Sequence, residues 1–336
     1  MKYIICEKPG KLKLLEKKEP LRKKGEVLLK IKKVGVCGTD LHAYSGNQAF
    51  FTYPRILGHE LAGEVEQIDD HSDIKVGDSV VVMPYVSCGK CIACRKGKTN
   101  CCSRIKVLGV HTDGGMQEKI TVPEELLLPA NGLSIEEMSI VEPLAIGAHA
   151  IRRAGLGQND VVVVMGCGPI GIAIVKMAQI RGAKVISMDV DKRRLDYAKN
   201  KLGVDFTILA TEDVQEKVAK TTHGDMASVV FDATGNKTAI EAGVNYMAHG
   251  GKYILVGLSK GELVFSHPKI HAKETTLMCS RNATLEDFEY VLGILKQKKF
   301  PTDSFITHNV GFKEMIAHFD KWLDSDYGVM KATIDF

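Results

Sequence analysis

Apolar and polar positions alternate in two different rhythms along this chain. Up to about residue 145 the apolar residues fall in short β-branched runs: EVLLKIKKVGVC (26–37), ELAGEVEQI (60–68), DSVVVMPYV (78–86) and QEKITV (117–122). Runs of this length, bounded by glycine and proline, predict strands. Between them KVGD (75–78) and a cysteine-rich loop read as turns, and regular helical patterns are scarce. A small β-rich domain carrying loops is the expectation for this half.

From about Asp160 the period changes. VVVVM (161–165) is a continuous apolar run, as expected of a strand buried on both faces of a parallel sheet. Ile170, Ile174, Met177 and Ala178 then form one helical stripe that ends at Gly182. KVISMD, a charged helix to Leu202 closed by Gly203, FTIL, another helix, SVVFDAT, another helix and KYILVG continue the alternation. Strands alternating with helices predict βαβ units and an α/β, doubly wound parallel sheet. The remaining segment holds the helical patterns EDFEYVLGILKQKKF and FKEMIAHFD and ends on the strand-like KATIDF.

Composition narrows the function classes. The chain has 336 residues, enough for two domains, with 45% apolar and 26% charged residues, as in ordinary soluble proteins. Its net charge of +4 comes largely from LEKKEPLRKKGEVLLKIKK, where acidic and apolar residues interrupt the basic ones. That run reads as a solvated strand face and turn. Without an aromatic stacking platform it does not predict nucleic acid as a partner. No apolar stretch approaches the ~20 residues that span a bilayer, so no membrane partner is expected. MKYIICEKPG lacks signal-peptide architecture and the nine cysteines are clustered, which points to a reducing cytoplasm.

The chemistry enters with those cysteines. Cys88, Cys91, Cys94 and Cys102 lie in CGKCIACRKGKTNCC, a spacing that lets four thiolates converge on zinc in a closed tetrahedron. A closed site leaves no room for substrate, so this zinc is expected to be structural. Cys101 competes with Cys102 as fourth ligand, and a disulfide nest or buried apolar cysteines are the alternatives. Gly166-Cys167-Gly168-Pro169-Ile170-Gly171 follows a predicted strand and opens a predicted helix, the context a dinucleotide-binding turn requires. The helix amino terminus would face the pyrophosphate. Asp189, ending the second strand, is placed to accept hydrogen bonds from the adenosine ribose, which favours NAD over NADP. Lys192, Arg193 and Arg194 follow closely and could accommodate an extra phosphate, and Asp189 could instead cap a helix.

A second, open metal site is predicted from Cys37-Gly38-Thr39-Asp40-Leu41-His42, Gly58-His59-Glu60 and Glu142-Pro143. A thiolate, an imidazole and a carboxylate can hold zinc with a fourth position free. Singly, Cys37 reads equally as a core thiol, His59 as an interior histidine and Glu142 as a helix-start carboxylate.

Taken together, these motifs resemble the zinc-dependent medium-chain dehydrogenases, the family of alcohol, sorbitol and threonine dehydrogenases, from end to end. The resemblance implies a GroES-like β-barrel catalytic domain (1–146) interrupted by a Rossmann NAD-binding domain (147–282), with the chain returning to the barrel over 283–336. It implies Cys37, His59 and Glu142 as catalytic zinc ligands, with Glu60 as an adjacent or alternating ligand. It further implies Thr39 and His42 as a proton relay and Lys331 as a basic group meeting the cofactor pyrophosphate. NAD, one catalytic and one structural zinc per subunit, and a homodimer or homotetramer follow from the same likeness. An edge strand ending near Cys279 could pair across a two-fold axis, as in the family.

Glu142 stands where liver-type alcohol dehydrogenases carry cysteine, which matches the polyol and threonine branch and suits a polar substrate. CGTDLHAYSGNQAFFTYPRILGHE, VLGVHTDGG and GLSKGELVFSHPKIHAKETTLMCSRNAT are similar to bacterial sugar-acid dehydrogenases. These oxidise the C5 hydroxyl of hexonates, L-galactonate to D-tagaturonate or L-gulonate to D-fructuronate. A polyol or L-threonine dehydrogenase, and a catalytically inactive zinc- and nucleotide-binding regulator, are the competing readings. A hexonate carboxylate calls for a cation, with Arg281, His111, Lys106 and Arg55 as candidates. Phe50, Phe51 and Tyr53 form either a pocket wall or plain core.

Overall fold

The computed structural model describes residues 1–48, 51–70, 72–211 and 213–336. They form two compact units, one of residues 1–143 with 284–336 and one of residues 144–283. Among the described residues no helix is long and apolar enough to cross a membrane.

The first unit is built around the strand Glu26–Val36, whose alternate residues Val27, Leu29 and Ile31 point into a core with Leu61, Val80, Val82, Ile120 and Phe319. Antiparallel to it run Glu60–Gln67, Lys119–Pro123 and Lys331–Asp335. The strand Ser79–Val82 pairs with Glu60–Gln67, and Leu127–Pro129 pairs with Ser79–Val82. The strand Ile306–Gly311 pairs parallel with Lys331–Asp335 at the other side, completing seven strands. Lys11–Glu16, Lys2–Lys8 and Arg55–Ile56 form a separate three-stranded sheet. The basic run of residues 15–33 is mostly exposed up to residue 25 and then enters the central strand Glu26–Val36, most of whose side chains are buried, so its strand part is core and not a solvated face.

Register at one end of the seven-stranded sheet gathers residues that are distant in the chain. Gly35 lies opposite Glu60 on one side and opposite Thr333 on the other. The ends of three neighbouring strands therefore deliver Cys37, His59 with Glu60, and Lys331 to the same place.

The second unit is a six-stranded parallel sheet in the order Phe206–Leu209, Lys184–Asp189, Val161–Met165, Ala227–Asp232, Met247–Leu255, Thr276–Cys279. The helices Pro169–Ile180, Lys192–Leu202, Val214–Thr221 and Lys237–Ala242 alternate with the strands. Val161–Met165 is central and buried on both faces, as its unbroken apolar run requires. Gly203 closes the helix Lys192–Leu202 in the left-handed conformation (φ 68°), which glycine adopts without a Cβ penalty.

An ion pair between a buried lysine and a half-exposed acid ties the last strand to the central one. Lys33 is 2% exposed, and its amine contacts Asp335, with Asn309 Oδ1 at 3.0 Å and Glu136 at 3.7 Å. Removing one partner of a buried pair strands the other charge at a cost of ~3–5 kcal/mol, whereas exposed pairs are worth under ~1 kcal/mol. Because Asp335 is half-exposed and Asn309 and Glu136 stay near Lys33, Asp335→Ala is expected to cost about 1–2 kcal/mol, between these limits. The exposed pair Lys32–Glu64 (3.0 Å) provides the control, and Lys32→Ala should cost less than about 1 kcal/mol. Urea unfolding midpoints of the two variants check this; equal losses would show that Asp335 contributes no more than a surface charge.

Candidate functional site

Three groups of side chains carry the chemistry. The first lies where the three strand ends of the first unit meet. Ligand atoms of Cys37, His59 and Glu60 all fall within 4.8 Å of one another. Cys37 precedes the helix Gly38–Tyr44, and Asp40 on that helix accepts hydrogen bonds from the backbone N–H of Cys37 and of Gly58, each at 3.0 Å. Asp40 thereby ties the thiol segment to the histidine segment. Its carboxylate also stands 3.7 Å from His59 Nδ1, which has no hydrogen-bond partner although it is buried. Glu60 folds over Gly35, where a Cβ would come within 1.9 Å of the Glu60 carboxylate. Only glycine leaves room for the acid across the strand pair.

The electrostatics of this group fit a cation. Burial opposes charge on His59, yet Asp40, Cys37 and Glu142 draw its proton affinity well above that of an ordinary imidazole. Burial lifts the Glu60 carboxyl to about 7, with Lys331 opposing and Glu142 adding to the rise. Four potential anions (Cys37, Asp40, Glu60 and Glu142) thus converge on one lysine and one imidazole. An unpaired buried imidazole nitrogen beside a thiol and a carboxylate is a donor set suited to zinc.

One expectation for this group changes. Glu142, on the first turn of the helix Val141–Ala154, is outside the set of ligand atoms within 4.8 Å. Its Oε1 instead accepts a hydrogen bond from the Tyr85 hydroxyl. Burial and Glu142 hold the Tyr85 phenol well above its usual pKa, so the phenol is the donor. Lys331 has a partner within the same group. Its amine is 1% exposed, pairs with Glu60 and donates to Val36 O at 2.9 Å, because its strand enters the sheet beside Val36. It is a buried counter-charge to Glu60. Thr39 is half-buried and His42 exposed, one helical turn apart on Gly38–Tyr44.

The second group is the thiol loop. Cys88, Cys91, Cys94 and Cys102 converge within 4.8 Å, and Cys91 and Cys94 Sγ are 3.5 Å apart. Cys101 is exposed and outside the group, so Cys102 is the fourth member. Backbone N–H groups of Cys94 and Ser103 hold the Cys91 thiol near 5, and those of Lys90 and Cys91 hold Cys88 near 7. Cys102 Sγ accepts from the N–H of Cys88 and of Arg104, each at 3.3 Å. N–H groups aimed at sulfur favour thiolates, the form that binds zinc. All nine cysteines are free, which removes the disulfide alternative.

The third group is the glycine turn of the second unit. Gly166 has φ 89°, and a Cβ on Gly171 would meet Gly166 O at 1.7 Å. Gly168 and Pro169 start the helix Pro169–Ile180, which Ile170 and Gly171 continue. Asp189 accepts from Cys167 N–H at 2.6 Å with one oxygen and from Asp191 N–H at 2.8 Å with the other. The capping alternative for Asp189 falls to Asp191, whose side chain accepts from Arg193 N–H at 2.8 Å. Arg193 is engaged by Asp191, while Arg194 Nη1 lies 3.5 Å from the space beside Gly168.

Of the residues considered for a substrate carboxylate, Arg55 is paired with Asp113 (3.4 Å) and Thr52 (3.1 Å). His111 Nδ1 accepts from Val107 N–H at 3.1 Å, and Lys106 and Arg281 are exposed. Phe51 and Tyr53 meet edge-on at 4.8 Å and pack, partly buried, against the core of the first unit; Phe50 lies outside the described residues. Sequence reasoning does not single out Asp40, Tyr85 or Gly35. The signal for Asp40 is its place three residues after Cys37, at a helix start; Gly35 and Tyr85 carry no local signal.

Residues 23–132 match the alcohol dehydrogenase GroES-like domain, and residues 169–297 match the zinc-binding dehydrogenase family. An L-galactonate-5-dehydrogenase of Escherichia coli K12 is 41% identical, covering 100% of this chain and 99% of its own. The chain belongs to the zinc-binding alcohol dehydrogenase family. A sorbitol dehydrogenase of Halalkalibacterium halodurans is 36% identical over 91% of this chain and 90% of its own. The crystal structure of an alcohol dehydrogenase (rspB) from E. coli CFT073, complexed with NADH, superposes with TM-score 0.94 at 30% identity, covering 100% of this chain and 99% of that one. As a member of this family the chain is an oxidoreductase with a GroES-like and a Rossmann-type part.

The thiol loop separates ligand from bystander. Cys94→Ser should lose one of the bound zinc ions and lower the melting temperature, whereas Cys101→Ser should keep both. Zinc content by elemental analysis and a melting curve on the same samples check this; loss of zinc from the Cys101 variant would reassign the fourth ligand.

Proposed function

We propose that this dehydrogenase uses NAD to oxidise the C5 secondary hydroxyl of a hexonate, L-galactonate or L-gulonate. The reading of the chemistry rests on one observation, the convergence of Cys37, His59 and Glu60 around a surplus of buried negative charge. The choice of substrate draws on the 41% identity to the L-galactonate-5-dehydrogenase over the whole chain.

Cys37, His59 and Glu60 would hold the catalytic zinc, with Glu142 close enough to exchange for one of them. When bound, the zinc and nicotinamide supply a Lewis acid that lowers the pKa of the substrate hydroxyl and an acceptor for its hydride. The protein's own part is to place and discharge the proton. The Thr39 hydroxyl, half-buried, passes it along the helix Gly38–Tyr44 to the exposed His42, whose imidazole delivers it to solvent. Asp40 holds the Cys37 and His59 segments in register through its two backbone hydrogen bonds.

For the cofactor, Gly166, Gly168 and Gly171 let backbone approach the pyrophosphate at the amino end of Pro169–Ile180. Each Asp189 oxygen accepts one backbone N–H, which leaves lone pairs for the ribose hydroxyls and a negative charge against a 2′-phosphate. Arg194, above the glycine turn, is placed to meet a phosphate. A second zinc in the thiol loop is structural. The strand Thr276–Cys279 is an unpaired sheet edge with mostly exposed side chains, which supports a homodimer. The free cysteines support a reducing compartment, the cytoplasm.

A polyol is the competing substrate, favoured by the 36% identical sorbitol dehydrogenase. NADH formation measured against L-galactonate, L-gulonate, sorbitol and L-threonine separates the two. Turnover of a hexonate that stops when zinc is chelated is expected; turnover of sorbitol or threonine alone would reject the hexonate. Asp189→Ala should raise the ratio of kcat/KM for NADP over NAD by about tenfold by removing the repelling carboxylate. An unchanged ratio would assign the discrimination to another group.

A further inference from the structure

The proposed hydroxyl oxidation and proton transfer through Thr39 and His42 make no use of Tyr85, yet its hydroxyl reaches Glu142, an acid that stands apart from the Cys37–His59–Glu60 group. Tyr85 is 4% exposed and Glu142 5% exposed, so their hydrogen bond is shielded from water. The Tyr85 ring meets the fully buried Phe288 edge-on at 6.2 Å, which fixes where the phenol points. A buried carboxylate held by one neutral donor, beside a cation site, has two competing partners. Whichever contact is stronger decides where its oxygens sit.

Tyr85 also has a particular place in the chain. The strand Tyr85–Val86 pairs antiparallel with Lys106–Val107, Tyr85 opposite Val107. All four converging thiols lie in the loop between these two strands. The hairpin whose loop closes on the structural ion therefore carries, at its base, the donor that reaches Glu142.

We propose that Tyr85 is a positioning residue, which holds Glu142 outside the Cys37–His59–Glu60 group and so decides which carboxylate completes the coordination of the catalytic ion. The proposal rests on reading that group as the metal site. Two acids can approach the ion, and each has its own restraint: Lys331 for Glu60 and Tyr85 for Glu142. Loss of the phenol hydroxyl frees Glu142 to move to the cation.

Tyr85→Phe removes the hydroxyl and keeps the ring against Phe288, so the fold is retained. The test uses the whole protein with cobalt in place of the catalytic zinc. Its visible d–d bands report the ligand set, and release of the metal to a chelator reports affinity. In Tyr85→Phe the bands should shift and the release rate should change by about tenfold or more, the scale of effect seen when a partner of a metal ligand is lost. The same substitution made on a Glu142→Gln background should shift neither the bands nor the release rate by more than about twofold, because the residue through which Tyr85 acts has lost its charge.

An equal effect of Tyr85→Phe on both backgrounds would overturn the proposal, since Tyr85 would then act on packing alone. So would cobalt bands and release identical to wild type. In either case an intact wild-type cobalt spectrum leaves the metal site itself standing. A wild-type protein that takes up no cobalt at Cys37 and His59 would sink the metal reading, and the proposal with it.

Discussion

A surplus of negative charge, gathered where water is largely excluded, is the constraint that the rest of this structure answers to. A thiol and three carboxylic acids face one ammonium and one imidazole at the ends of three adjacent strands. Two like charges 4 Å apart repel by about 4 kcal/mol at the effective dielectric near a protein surface, and burying each carboxylate costs several more. Such an arrangement is tolerable only with a counter-charge of its own strength. A divalent cation supplies it, and the sheet register is suited to receive one. Gly35 clears space for Glu60, Asp40 ties two ligand segments together, and Lys331 offsets one carboxylate without blocking the thiol.

The thiol loop solves a different problem. Between Val86 and Lys106 the chain forms only the short helix Ile92–Arg95 and a single 3-10 turn at Thr99–Cys101, with few buried apolar residues of its own. A segment of that kind cannot offset the entropy of ordering its backbone by apolar burial. Four sulfurs around one ion serve as its core instead. The two sites are thus alike in needing metal and unlike in purpose: one is closed by four thiols, while the other gathers a mixed set in which the acids have competing partners.

Features encoded by neighbouring residues are legible in the sequence. The thiol spacing, the glycine turn and the parallel strands of the second unit all follow from local spacing and period, and each is found in its expected place. Features set by distant strands are not legible. Lys331 is far from Glu60 in sequence, and only the position of the last strand beside Val36 brings the amine to the carboxylate. Nothing local in the sequence pairs Lys331 with Glu60 or predicts that its amine is buried. Glu142 reads as a ligand because nothing in the sequence shows that a tyrosine three residues before Cys88 reaches it. The strands Lys2–Lys8 and Ile306–Gly311 escape a sequence reading because charged or polar residues break their apolar alternation.

The position of Lys331–Asp335 between Glu26–Val36 and Ile306–Gly311 has a consequence for biosynthesis. The second unit is one continuous stretch, residues 144–283, and can form while translation is still under way. The first unit begins earlier but lacks an interior strand until residues 331–335 emerge. At ribosomal speeds of ~5–20 residues per second, that leaves its half-made sheet waiting on the order of ten seconds or longer. The thiol loop, being local, can capture its ion during that interval. Cys37, His59 and Glu60 lie at the ends of early strands that pair with each other, but the lysine that offsets Glu60 arrives only with the late one.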